Sequence, residues 1–128
     1  MSSKLLGIDY GTKRVGVALS DESASVAFAK GVFPSDRSLI PTLAELIKKE
    51  GVETVVIGES KDKDGNDNAI MKAVRKFVSE LERTIHVRVL YEPEFYSSVE
   101  ARRDSDDKFV DAKAAAIILN SFIERNQK

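Results

Sequence analysis

Two apolar runs separated by three residues constrain this chain more than any other feature. Lys4 to Tyr10 is a compact apolar run, Gly11-Thr12-Lys13 reads as a turn, and Arg14 to Ser20 (RVGVALS) alternates in the manner of a half-buried strand. So short a connection leaves the two strands only antiparallel pairing, since a parallel return needs a crossover of a dozen residues or more. The chain therefore opens on a hairpin, and that hairpin carries an acid, Asp9, among Leu5, Leu6 and Ile8. A carboxylate placed there needs compensation, from a partner or a metal ion.

Beyond the hairpin, one more strand leads into alternating helices and strands. Val26 to Phe33 reads as a third strand ended by Pro34-Ser35-Asp36, and Ser38 or Asp36 caps a helix running through Lys49 with Leu39, Leu43, Leu46 and Ile47 on one face. Glu53 to Gly58 (ETVVIG) is a β-branched run, as in a parallel strand buried on both faces. The polar stretch ESKDKDGNDN forms a loop. Ala69 to Arg83 is an amphipathic helix turning Ile70, Val74, Phe77, Val78 and Leu81 inward. His86 to Tyr91 is a fifth strand, Ser97 to Arg103 a short helix, and Asp107 or Lys108 to Arg125 the last helix. An antiparallel opening followed by βαβ crossovers predicts an α/β chain. Its five-stranded mixed sheet, three antiparallel strands and then parallel βαβ units with helices on both faces, resembles ribonuclease H-like architecture. A flavodoxin-like fold needs a helix between the first two strands, and none is available.

Composition excludes several chemistries. Cysteine is absent and histidine occurs once, at His86, so thiolate zinc sites, cysteine nucleophiles and histidine-based triads lack their raw material. A metal here is held by carboxylates, which suit hard ions such as Mg²⁺ or Mn²⁺. No apolar run approaches the length of a membrane span and no signal segment opens the sequence. With 128 residues the expectation is one domain, residues 1–128, of a cytoplasmic protein without membrane contact. The net charge of −1 argues against binding nucleic acid through bulk charge alone, so such a partner requires a local basic patch or a bridging cation.

Three acids stand out by position: Asp9 at the end of the first strand, Glu94 after the fifth, and Asp111 near the head of the last helix, where it heads a stripe with Ala115, Ile118 and Phe122. Each has an ordinary explanation. Asp111 suits the helix dipole, Glu94 suits a loop after Pro93, and Asp9 is within reach of Thr12, Lys13 or turn amides. Yet the first and fifth strands are both expected to border the fourth with their carboxyl ends on one edge, and the last helix can bring Asp111 there. Acids gathered so closely repel unless cations lie between them, and two divalent ions about 4 Å apart are a standard route to phosphodiester cleavage. Glu59 is a further acid at that edge, either an extra ligand or, as the preferred reading, a loop residue. Asp62, Asp64, Asn66 and Asp67 resemble a calcium loop, but Ala73 stands where its closing glutamate belongs.

At GIDYGTKRVGVALSD, YEPEFYSSVEA and VDAKAAAIILNSF the chain resembles the YqgF/RuvX family. These are ribonuclease H-like proteins described as Holliday junction resolvases and as nucleases maturing the 5′ end of pre-16S rRNA. The resemblance covers most of the chain and implies that Asp9, Glu94 and Asp111 are catalytic and hold Mg²⁺ or Mn²⁺. It also implies a nucleic-acid partner, precursor rRNA or branched DNA, with ribosome-assembly proteins as further candidates and a monomer or homodimer as the working state. Lys13 and Arg14, beside the first motif, are the candidate phosphate contacts. Lys72, Arg75, Lys76, Arg102 and Arg103 are basic positions of lower promise, and Tyr10, Phe95 and Tyr96 are candidate stacking groups. The chain departs from the family pattern where the usual DER is Pro93-Glu94-Phe95 and the usual GLP is Gly58-Glu59-Ser60.

Two other readings are open. IDYGT also resembles the phosphate-binding turn of actin-like ATPases, but those clamp nucleotide between two such domains. A non-catalytic module binding rRNA or an assembly partner is the second, and the presence of all three acids argues against it.

Overall fold

The computed structural model describes residues 4–11, 13–60, 70–94 and 110–126. Strands β1 (Lys4–Asp9), β2 (Arg14–Ser20) and β3 (Ala27–Pro34) are followed by helix α1 (Leu39–Glu50), strand β4 (Val52–Ser60), helix α2 (Met71–Thr84), strand β5 (Arg88–Glu94) and helix α3 (Val110–Asn126). The strands form one sheet in the order β3-β2-β1-β4-β5. β1 runs antiparallel to β2 and β2 to β3, whereas β4 is parallel to both β1 and β5. The expected mixed sheet is thus present, with β1 and β5 flanking β4 and their carboxyl ends on one edge.

Each face has its own core. Leu6, Ile8, Val15, Val17, Val55 and Ile57 point to the side covered by α1 and α2, which contribute Leu39, Leu43, Ile47, Met71, Val74, Phe77, Val78 and Leu81. Ala18, Ala27 and Val56 face α3, which answers with Ala115, Ile118, Leu119 and Ile123. β4 is buried on both faces at Val55, Val56 and Ile57, as its β-branched run requires. α3 lies close to the sheet because Gly7 offers no side chain: a Cβ there would stand 2.8 Å from Cβ of Leu119.

Boundaries depart from the expected ones for local reasons. α1 is capped by Asp36, whose Oδ1 accepts the Ser38 N–H at 2.9 Å, while Ser38 makes no side-chain cap of its own. Its C-terminus closes on Gly51, at φ 68°, the left-handed conformation that glycine adopts without a Cβ penalty. β4 runs two residues beyond Gly58, so Glu59, expected in a loop, pairs with Pro93 inside the sheet. β5 begins at Arg88 and extends to Glu94 because β4 offers partners that far. β3 carries one extra residue, Lys30, between the partners of Val17 and Ala18, a bulge on the strand at the sheet's border. The short helix expected over Ser97–Arg103 lies outside the described residues. No helix among the described residues is long and apolar enough to cross a membrane.

Candidate active site

Alternation along β1 decides where Asp9 points. Leu6 and Ile8 face α1 and α2, so Gly7 and Asp9 face α3. Asp9 is 3% exposed at the last position of β1. Its cross-strand neighbour is Gly16, and Gly16 is where the head of α3 comes down. A Cβ built on Gly16 would stand 1.9 Å from the carbonyl oxygen of Asp111. The backbone of Asp111 thus occupies the volume a side chain at position 16 would fill, beside Asp9. Asp111 itself is 7% exposed, in the first turn of α3, where the helix dipole favours an acid. Two buried carboxylates distant in sequence therefore share one rim of the sheet.

Arg14, two residues before Gly16 on the same face of β2, donates its Nε–H to Oδ2 of Asp111. This guanidinium, expected to contact phosphate, is engaged with an acid of the site, and it fixes that acid's orientation. Lys13 is exposed in the turn before β2. Glu94 closes β5 opposite Ser60, and its side chain lies outside the described residues, as do Phe95, Tyr96, Arg102, Arg103 and residues 61–69. Among the described residues no group of three or more histidine or acidic side chains converges to hold a metal ion. Asp9 and Asp111 bring hard oxygen donors to this rim. Their chemistry suits Mg²⁺ or Mn²⁺ and no soft metal.

Tyr10 emerges on the opposite face from Asp9. Its ring lies 5.0 Å from that of Phe77, and its hydroxyl lies 3.5 Å from Ser35 Oγ. It lines a cavity of about 330 Å³ with Ser35, Asp36, Lys76, Phe77 and Glu80. Tyr10 is therefore a packing residue between β1 and α2.

One acid on this rim is not evident from the sequence. Glu92 is 4% exposed and pairs in register with Gly58. Its Oε1 accepts a hydrogen bond from Nη2 of Arg125 at 2.6 Å. The available signal is a charge directly after Tyr91 on a strand expected to be covered on both faces, but the apolar run that marks that strand ends at Tyr91.

A five-stranded mixed sheet in this strand order with helices on both faces defines a ribonuclease H-like fold. Solved structures share it. RuvC of Thermus thermophilus in complex with a Holliday junction substrate superposes with a TM-score of 0.58 at 15% identity, covering 96% of this chain and 95% of that one. The fowlpox virus resolvase with Holliday junction DNA gives 0.55 at 11% identity, covering 98% and 99%. The profile of the Holliday junction resolvase family RuvX matches residues 3–125, and the chain belongs to that family. The protein from Nitratidesulfovibrio vulgaris named "Putative pre-16S rRNA nuclease" is 39% identical, covering 94% of this chain and 92% of that protein. One from Maridesulfovibrio salexigens with the same name is 34% identical, covering 95% and 98%. The chain is thus a member of a nuclease family, a hydrolase of phosphodiester bonds.

Proposed function

We propose that this protein is a divalent-metal-dependent nuclease whose substrate is a precursor of 16S rRNA. The observation that carries the reading is the pair of buried acids, Asp9 and Asp111, brought together across Gly16 at the carboxyl edge of the sheet. Asp9, Asp111 and Glu94 are the residues that would hold Mg²⁺ or Mn²⁺. When bound, the ions supply an activated water and stabilise the leaving oxygen, so that phosphodiester hydrolysis proceeds with inversion at phosphorus. Arg14 orients Asp111 through its Nε–H and, with Lys13, stands beside the path of the backbone phosphates. Burial of Asp9 and Asp111 keeps bulk water from competing for their oxygens. The names of the relatives favour the rRNA substrate.

Branched DNA is the second reading, favoured by the description of the matching family. It carries a structural demand. Symmetric cleavage of a four-way junction calls for two copies related by a two-fold axis, whereas rRNA trimming needs one. Wild type and Asp9→Asn should be assayed on precursor 16S rRNA and on a four-way DNA junction with Mg²⁺ and with Mn²⁺. The expected result is metal-dependent cleavage of the RNA by wild type and its loss in Asp9→Asn, with the far-ultraviolet circular dichroism of the two unchanged. Equal inertness of both proteins on both substrates would sink the nuclease reading in favour of a non-catalytic binding module serving ribosome assembly.

A further inference from the structure

Glu92 and Arg125 are outside the proposed chemistry, yet they stand next to it. Parallel register aligns Ile8, Ile57 and Tyr91 in one row across β1, β4 and β5. The next row therefore holds Asp9, Gly58 and Glu92, with Gly58 placing only a hydrogen atom between the two acids. Two strand spacings, about 10 Å, separate their backbones. A buried carboxylate needs a partner, and Arg125, in the last turn of α3, meets that need through Nη2 at 2.6 Å.

Arginine offers more than a counter-charge. Its guanidinium has five N–H donors in a planar fork that matches phosphate oxygens. The Arg125 side chain keeps 58% of its surface in water while that of Glu92 keeps 6%, so the acid is a buried anchor and the cation its exposed head. A chain of net charge −1 does not attract a polyanion through bulk charge, so phosphate affinity depends on individually placed cations. Arg14, beside the acids, is engaged by Asp111.

We propose that Arg125, aimed by the buried carboxylate of Glu92, is a substrate-binding residue that grips the phosphate backbone several nucleotides away from the bond cleaved at Asp9 and Asp111. The inference rests on the nuclease reading. On α3, Arg125 follows Asp111 by fourteen residues, about 21 Å of helix at roughly 1.5 Å per residue, so Arg125 addresses a phosphate several nucleotides from the scissile one, at about 3.4 Å of rise per nucleotide.

The test separates the two ideas by measuring binding without turnover. In the Asp9→Asn background, affinity for a precursor 16S rRNA fragment and for a four-way DNA junction is read by fluorescence anisotropy across a salt series. Arg125→Gln is expected to weaken binding about tenfold and to lower the slope of log affinity against log salt by about one, the signature of one lost phosphate contact. Arg125→Lys keeps the charge and hence the slope, but loses the fork and severalfold in affinity. Glu92→Gln leaves the slope in place and weakens affinity, because the cation is present but no longer aimed. In the active chain, Arg125→Gln lowers kcat/KM chiefly through KM. Parental affinity and slope in both Arg125 variants would overturn the proposal and leave the pair a structural clasp. Arg125→Lys retains an ion pair with Glu92 and decides the matter should Arg125→Gln unfold. Failure of the Asp9→Asn parent to bind either nucleic acid at low salt would overturn the nuclease reading and this proposal with it.

Discussion

At Gly16 a methyl group would stand 1.9 Å from the carbonyl oxygen of Asp111 and 2.8 Å from the amide nitrogen of Ala112. Both are backbone atoms at the start of a helix, so neither yields by a rotamer change. Gly16→Ala is expected to cost about 3 kcal/mol, at the upper end of overpacking penalties, in urea unfolding. It should also depress cleavage in the fraction that remains folded, because the helix start and Asp111 move off Asp9. Little of this contact is legible in the sequence, where Gly16 is only one small residue of an alternating strand. Asp9 and Asp111 are legible because each is a charge on a stripe otherwise apolar, and physics makes such charges conspicuous. Glu92 is not, because strand pairing with β4, a long-range fact, extends β5 past Tyr91 and buries what local pattern leaves in a turn. The engagement of Arg14 with Asp111 likewise depends on where α3 lands.

Elements are legible where period and punctuation agree. The hairpin of β1 and β2, the β-branched run of β4 and the apolar stripes of α1 and α2 all take their expected places, with edges displaced by a few residues at most. The start of α1 shows why edges shift: Asp36 caps it through the Ser38 N–H and also accepts the Ser38 hydroxyl at 2.5 Å. The hydroxyl first, and the backbone N–H second, hold the Asp36 carboxyl below its ordinary value of 3.8. A lowered folded value means that the charged cap stabilises the fold above pH 3.8 and that this contribution is lost as pH falls through the folded value. Asp36→Asn is therefore expected to show a shallower fall in urea midpoint between neutral pH and about pH 3 than wild type. Asp36→Ala should be less stable than wild type at neutral pH and lose the same acid-side component. Lys4 and Glu50 tie the start of β1 to the end of α1 at 2.7 Å. Hydrogen bonding to Lys4 lowers the Glu50 carboxyl in turn, so Glu50→Gln should flatten the acid limb in the same sense.

The whole molecule divides its labour between the two faces of the sheet. α1 and α2 together cover one face, while α3 contributes the helical part of the core on the other and carries Asp111 and Arg125 at its two ends. Leu43 and Leu119 are both fully buried, one in each layer. Replacement of either by alanine is expected to cost roughly 2–5 kcal/mol. The two should differ in what happens below the unfolding transition. Leu119→Ala loosens the helix that positions the site and should lower cleavage per folded molecule. Leu43→Ala should lose stability with cleavage per folded molecule retained, and parallel denaturation and activity curves read the difference. The order of elements that specifies this arrangement is legible from the opening hairpin and the two crossovers, whereas the lie of α3 across the sheet depends on two glycines, Gly7 and Gly16, whose importance emerges only on packing.

The strand at the border of the sheet has a consequence for how the protein behaves in a crowded solution. β3 displays Phe28 at 57% exposure, an adhesive side chain on a rim that invites other chains to add themselves. The extra residue at Lys30 buckles that rim and plants an ammonium group on it, and the imino ring of Pro34 at its far end offers no amide proton. These features oppose growth of the sheet by recruitment of foreign strands at this edge. Deleting Lys30 is expected to straighten the ladder beneath an exposed aromatic ring and to raise the rate of aggregation read by thioflavin T fluorescence.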